Sequence, residues 1–172
     1  LTVRGTPFLY YGEEIGMRDI PVRRKKDVLD PVGKFFWPFY KGRDGCRSPM
    51  QWGNQLNGGF TKGVPWLPIH KNFSTRNVTC QESDPLSLLN FYKKLIKIRK
   101  LNPVFSRGDY FPIDQPNTNV LAFKRVLQNQ TGLALFNFNQ RAESVKLPPT
   151  SEPTDMVFLA SNRRNELPSI QD

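Results

Sequence analysis

Residues 42–52 read Gly-Arg-Asp-Gly-Cys-Arg-Ser-Pro-Met-Gln-Trp and gather the side chains best suited to chemistry in this chain. Arg43 and Arg47 bracket a carboxylate at Asp44. A guanidinium is a planar fork of N–H donors that matches a carboxylate or a pair of vicinal hydroxyls. It recognises well only when it is held still. Neither a helical nor a strand period fits the stretch. Pro49 fixes its own φ and biases Ser48 towards extended backbone. Gly42 and Gly45 allow tight turns on either side of Arg43-Asp44. The expectation is a loop that immobilises its arginines for recognition. A surface turn with solvated charges is the plainer reading of the same residues.

The flanking segments must position that loop. Thr6-Pro7-Phe8-Leu9-Tyr10-Tyr11-Gly12 is short, continuously apolar and closed by glycine, which predicts a buried strand of parallel type. Glu13 and Glu14 follow at its end, where such sheets carry their sites, or where a carboxylate merely anchors the next loop. Residues 18–41 read as a long excursion. Pro31, Gly33 and Pro38 interrupt any helical period, and Phe35, Phe36, Trp37, Phe39 and Tyr40 argue for a flap over a pocket or against neighbouring structure. Residues 53–83 remain irregular, with Gly58-Gly59-Phe60 and Pro65-Trp66-Leu67-Pro68 as anchors.

Asp84-Pro85 then predicts an N-cap and first helical residue, with Leu88, Leu89, Tyr92, Leu95, Ile96 and Arg99 at helical spacing. This amphipathic helix, 84–101, ends at Asn102-Pro103. From Arg107 the period falls to two. Residues 120–126 and 133–138 flank a hairpin signal at Gln128–Gly132, with further strands expected at Ser144–Leu147 and Met156–Ala160. The predicted order is one buried strand, a long aromatic loop, a helix and antiparallel β. A lone parallel strand needs neighbours, so the first half reads as the final β/α unit of a larger α/β barrel with a small β domain appended. The opening at Leu1-Thr2-Val3, with no initiating Met, reads as a fragment or a processed product.

Composition narrows the classes. With 38% hydrophobic residues and 13 Phe the chain is globular in character. No apolar run approaches the roughly 20 residues of a membrane helix, so no membrane partner is expected. The net charge of +10 permits anionic partners, but the basic clusters are scattered and no nucleic-acid motif accompanies them. Cys46, Cys80 and the single His70 show no metal-ligand spacing, and no cofactor or metal is called for. A Cys46–Cys80 disulfide would require an oxidising compartment, and the compartment is open. Asn-X-Ser/Thr triplets occur at Asn72, Asn77 and Asn129.

Gly5–Met17, read Gly-Thr-Pro-Phe-Leu-Tyr-Tyr-Gly-Glu-Glu-Ile-Gly-Met, resembles the eighth-strand motif of the α-amylase superfamily, glycoside hydrolase family 13. Residues 43–52 resemble the Arg-Asp-x-x-Arg-(Thr/Ser)-Pro-Met-Gln-Trp signature of its α-glucosidase and oligo-1,6-glucosidase branch. Gly59-Phe60-Thr61, Pro65–Pro68 and Leu88–Tyr92 also match, and the region after Asp109 is more weakly similar to the family's C-terminal domain.

The resemblance implies residues 1–105 as the C-terminal part of a (β/α)8 catalytic barrel and 106–172 as an incomplete antiparallel β-sandwich domain. It implies a retaining α-glucosidase acting on terminal glucosides of short oligosaccharides such as maltose or isomaltose, with two carboxylates about 5 Å apart. Those carboxylates belong to motifs that this chain does not contain, so no catalytic residue is assigned and the remainder of the barrel is required. The role carried over is substrate binding, by Arg47 first, then Arg43 and Asp44, with Tyr11, Glu14 and Trp52 framing the pocket. Two relatives offer other outcomes. Transporter heavy chains of the same fold have lost hydrolysis and the arginine before Ser-Pro, whereas Arg47 is present here. Trehalose-synthase-type enzymes rearrange the glucoside instead of releasing it.

Overall fold

The computed structural model describes residues 1–147 and 159–160. The chain divides into two units, Phe8–Tyr92 and a second made of Leu1–Pro7 with the chain from Lys93 onward.

The Phe8–Tyr92 unit is built mainly from tight turns. Single 3-10 turns lie at Glu13–Ile15, Lys25–Asp27, Asp44–Arg47, Leu56–Gly59 and Lys71–Ser74. Between them stand two short helices, α1 (Pro31–Phe36) and α2 (Val78–Glu82). Helix α3 (Leu88–Leu101) begins here. Ile15, Met50 and Leu89 form a buried cluster against which Met17, Phe60 and Val78 pack. Burial of each large member contributes roughly 1.5–3 kcal/mol, and Met50 thereby pins the end of the 42–52 loop.

Two expectations for this unit are corrected. Residues 6–12 are not a buried strand: Phe8 is 90% exposed, and Leu9, Tyr10 and Tyr11 face outward. A parallel strand needs a ladder partner on either side, and among the described residues none is supplied. The interrupted 18–41 excursion contains a helix after all. Asp30 caps α1 by accepting the Val32 and Gly33 amides at 2.9 and 3.3 Å, and Pro31 occupies the first helical position, where its missing N–H costs nothing.

Helix α3 starts at Leu88, later than Asp84 predicts. The Ser87 hydroxyl accepts the Asn90 amide at 3.2 Å, and the Gln81 side chain accepts the Leu89 amide at 3.0 Å. Those acceptors satisfy the helix's first free donors. Asp84 instead closes the preceding turn by accepting the Leu86 amide at 2.9 Å.

The second unit carries the rest of α3, the short α4 (Pro103–Arg107) and a three-stranded antiparallel sheet in the order β1-β2-β3: Asp109–Ile113, Val120–Leu127 and Gln130–Asn137. Val120 and Ala122 are buried on one face of the sheet and Phe123 and Ala134 on the other, and Phe123 lies 4.9 Å from the Tyr110 ring and 5.9 Å from that of Phe136. The hairpin is tighter than the five-residue signal implied. Leu127 pairs with Gln130, leaving a two-residue loop of Gln128 and Asn129 in which Gln128 takes φ +52°. Gly132 is required by packing, because a Cβ there would meet the Phe105 ring at 2.7 Å.

Arg125 places a charged side chain on the same face of β2 as Phe123. It is fully buried, and its guanidinium donates to the carbonyls of Gly108, Phe105 and Thr2 at 2.6–3.1 Å. Burial first, then the charges of Arg99 and Arg4, push its pKa below the ordinary arginine value. Arg99 works similarly, donating to the carbonyls of Leu1, Gly5 and Phe105 at 2.5–2.7 Å. Ser144–Leu147 forms no strand. Of Met156–Ala160, residues 156–158 lie outside the described residues, so among those residues the expected sandwich is a single sheet.

Candidate functional site

The 42–52 loop is clasped to residues 29–33 by two carboxylates working in opposite directions. Asp44 is 3% exposed, and its Oδ2 accepts the amides of Leu29 at 2.6 Å and Asp30 at 3.1 Å. Asp30, also buried, returns the contact by accepting the Arg43 amide on Oδ2 at 3.0 Å while Oδ1 caps α1. The approach is close enough to dictate residue type. Gly42 has φ +76°, and a Cβ on it would lie 2.7 Å from the Asp30 Cβ. Gly45 has no positive φ, so only the first of the two expected glycine turns draws on that freedom.

Arg47 sits on this clasp. Its Nη1 is 3.9 Å from the same Asp30 Oδ2, and nearly half of its side-chain surface (46%) is open. The Trp66 indole donates to the Arg47 carbonyl at 3.3 Å, and the Trp66 ring meets Phe60 edge-on at 5.2 Å. The Trp66 bond holds the Arg47 main chain, and the Asp30 carboxylate lies within ion-pair reach of one terminal nitrogen while the rest of the fork stays free to donate. The Arg43 amide, then those of Gly33 and Val32, and last the Arg47 charge hold the Asp30 carboxyl below its usual pKa. Asp30 therefore stays ionised wherever Arg47 needs a counter-charge.

The other expected residues fall around the same loop. Tyr11 donates its hydroxyl to the Ser48 carbonyl at 2.9 Å, and burial, followed by neighbouring Tyr10, pushes its phenol up. Glu14 accepts the Gly12 amide at 2.8 Å, the anchoring alternative for that carboxylate. The Trp52 main chain is fixed by Gly58 and Thr79, while half of the residue remains exposed. Gln51, fully buried, donates to the Arg76 carbonyl and holds the loop's exit.

The structure sorts the three expected binders. Arg47 presents a partly free guanidinium. Arg43 is exposed, and its guanidinium has no hydrogen bond or ion pair among the described residues, so its visible contribution is its amide. Asp44 faces inward on main-chain amides, which makes it an anchor of the loop and not a group presented to a ligand. Sequence reasoning passed over Asp30 and placed Trp66 only within the Pro65–Pro68 anchor, with no link to Arg47. The Asp-Pro pair at 30–31 carries the same capping signal that was read at 84–85, and it would have marked Asp30 as a fixed carboxylate.

A hollow lined by Ile20, Pro21, Val22, Trp66, Leu67 and Pro68 lies in this unit, and neither loop arginine lines it. Cys46 and Cys80 are both free and exposed. Among the described residues no group of three or more His, Cys, Asp or Glu could hold a metal ion.

Residues 1–108 match the alpha-amylase catalytic domain. The chain belongs to the alpha-amylase family. Among similar proteins, a probable alpha-glucosidase of Rhizobium meliloti is 38% identical over 148 residues, covering 86% of this chain and 26% of that protein. The oligo-1,6-glucosidase of Parageobacillus thermoglucosidasius is 33% identical over 85% of this chain and 29% of that protein. Among solved structures, the trehalulose synthase MutB of Pseudomonas mesoacidophila superposes with TM-score 0.71 at 35% identity, over 80% of this chain and 28% of that one. This alpha-amylase-family chain therefore spans between a quarter and a third of the length of these relatives. Its likeness is to the α-glucosidase and oligo-1,6-glucosidase branch.

Proposed function

We propose that this chain is the substrate-holding closing sector of a retaining α-glucosidase, in which residues 1–105 complete a (β/α)8 barrel and the chain from 106 forms the appended β domain. The observation that carries the reading is Arg47, a guanidinium braced by Asp30 from one side and open on the other. A fork held this way can bridge two vicinal hydroxyls of one terminal glucose and close the pocket behind it. That geometry favours release of single glucose units from short α-glucosides over attack on internal bonds. Residues 6–12 and their exposed aromatics read as the eighth strand, whose partners come from the rest of the barrel. Phe35, Phe39 and Tyr40, all exposed, would border the sites for the leaving sugar. The two catalytic carboxylates come from that remainder, acting as nucleophile and acid/base.

The complete protein is tested by incubation with maltose, isomaltose and p-nitrophenyl α-glucoside, with the anomer of released glucose followed by NMR. Release of α-glucose first is the expected result. Absence of any glucose release would overturn the reading and favour a non-hydrolytic relative such as a transporter heavy chain. A second reading is supported by the similarity to MutB, one of whose solved structures holds the substrate sucrose. Conversion of sucrose to an isomeric disaccharide, in excess over glucose release, would establish isomerisation in place of hydrolysis.

A further inference from the structure

The three Asn-X-Ser/Thr triplets lie in different surroundings, and the fold discriminates among them. Asn77 is wholly buried. Its Nδ2 donates to the Phe73 carbonyl at 2.8 Å, and its Oδ1 accepts the Cys80 amide at 2.8 Å as the cap of α2. Asn72 is half-buried, with its side-chain oxygen 2.6 Å from His70 Nδ1 and 3.4 Å from Gln51 Nε2. Asn129 is the opposite case. It is the second residue of the two-residue β2–β3 loop, and Gln128, Asn129, Gln130 and Thr131 are all exposed. Its side-chain amide makes no hydrogen bond among the described residues.

We infer that Asn129 is the triplet that the fold leaves open to N-glycosylation when the chain passes an oligosaccharyltransferase, and that Asn77 is closed to that modification. The donor is a lipid-linked pyrophosphate oligosaccharide, delivered by an oligosaccharyltransferase. The Asn129 amide nitrogen forms a bond to the anomeric carbon and gives up one proton. The C–O bond to pyrophosphate breaks, and the lipid pyrophosphate leaves with the electron pair. A glycan on Nδ2 of Asn77 would displace the Phe73 carbonyl contact and force a bulky polar group into a site with no opening, so an occupied Asn77 is incompatible with the folded unit. A glycan at Asn129 projects from an exposed hairpin tip. The inference is independent of the glucosidase reading.

The test is to express the complete protein in a eukaryotic secretory host, collect the secreted and retained fractions, and remove N-glycans enzymatically in heavy-oxygen water. Peptide mass spectrometry then marks each formerly glycosylated Asn as a labelled Asp. The expected result is label at Asn129 for most of the secreted protein, with none at Asn77. N129Q and T131A, both at exposed positions, should each abolish the Asn129 label, whereas T131S should retain it. An unlabelled Asn129 in the secreted fraction, or secreted folded protein labelled at Asn77, would overturn the inference.

Discussion

The two units of this chain solve the same problem by different means. In the second unit, backbone groups are satisfied by a ladder between β1, β2 and β3, and Arg125 serves the three carbonyls that the ladder does not reach. In the Phe8–Tyr92 unit, individual side chains take the ladder's place. Asp30, Asp44, Gln51 and Asn77, all buried, each bond main-chain groups of a neighbouring turn. A ladder spreads its stabilisation over many equivalent bonds. A set of clasps concentrates it, so single substitutions should open single loops and leave the rest intact. An open, correctly braced guanidinium such as Arg47 is what the second arrangement can provide.

The largest expected effect is at the one place where the sheet unit also depends on a single side chain. Arg125→Met leaves the carbonyls of Thr2 and Gly108 without these donors, while the Phe105 carbonyl keeps its bond from Arg99. At about 1–3 kcal/mol for each buried unsatisfied group, stability should fall by about 2–6 kcal/mol in denaturant titration of the complete protein. A loss below about 1 kcal/mol would mean that water reaches those carbonyls. Next is Asp44→Ala, which removes the acceptor for the Leu29 and Asp30 amides. Hydrogen exchange at those two amides should accelerate by the equivalent of roughly 2–3 kcal/mol, while amides of β2 and β3 stay protected. Equal acceleration in the sheet would abolish the distinction between clasp and ladder. Smaller again, Ser87→Ala should cost about 1 kcal/mol through loss of the α3 cap. Asp84→Ala should leave the α3 amides unchanged.

Acid provides the mildest perturbation. Asp30 has a folded pKa held below its ordinary value by the Arg43 amide, the other amides and Arg47. Its contribution is therefore full above the unfolded carboxyl pKa of about 3.9 and is lost as pH falls through the lower folded value. Asp30→Asn should flatten that acid limb by lowering stability above the unfolded carboxyl pKa, so that variant and parent converge only as pH falls through the folded value. An unchanged limb would separate Asp30 from the clasp.

The same contrast explains how much could be read from residues alone. The period-two stretches at 120–126 and 133–138 matched real strands because their apolar residues recur at the spacing a pleated strand presents, although burial in β2 falls on both faces, at Ala122 and at Phe123. Leu88–Leu101 was recognisable for the equivalent reason at helical spacing, and only its start was misplaced, since Gln81 and Ser87 cap it from outside the pattern. The 42–52 loop was identifiable from its types and its likeness to a family signature, yet its internal roles were not. Whether Asp44 faces a ligand or an amide depends on residues 29–30, which no local period connects to it. Strand-like residues 6–12 show the converse limit: an apolar run specifies a preference for burial, and the partners must come from elsewhere.

The role proposed for Arg47 is that of a braced sugar-holding guanidinium. The direct measurement is kcat/KM of the complete protein on p-nitrophenyl α-glucoside and maltose for Arg47→Ala and Arg47→Lys. Loss of a charged hydrogen bond worth about 1.5–3 kcal/mol predicts a fall of roughly ten- to a hundredfold for the alanine variant, only partly recovered by lysine, with folding stability close to that of the parent. An alanine variant with unchanged kcat/KM on both substrates would contradict the claim.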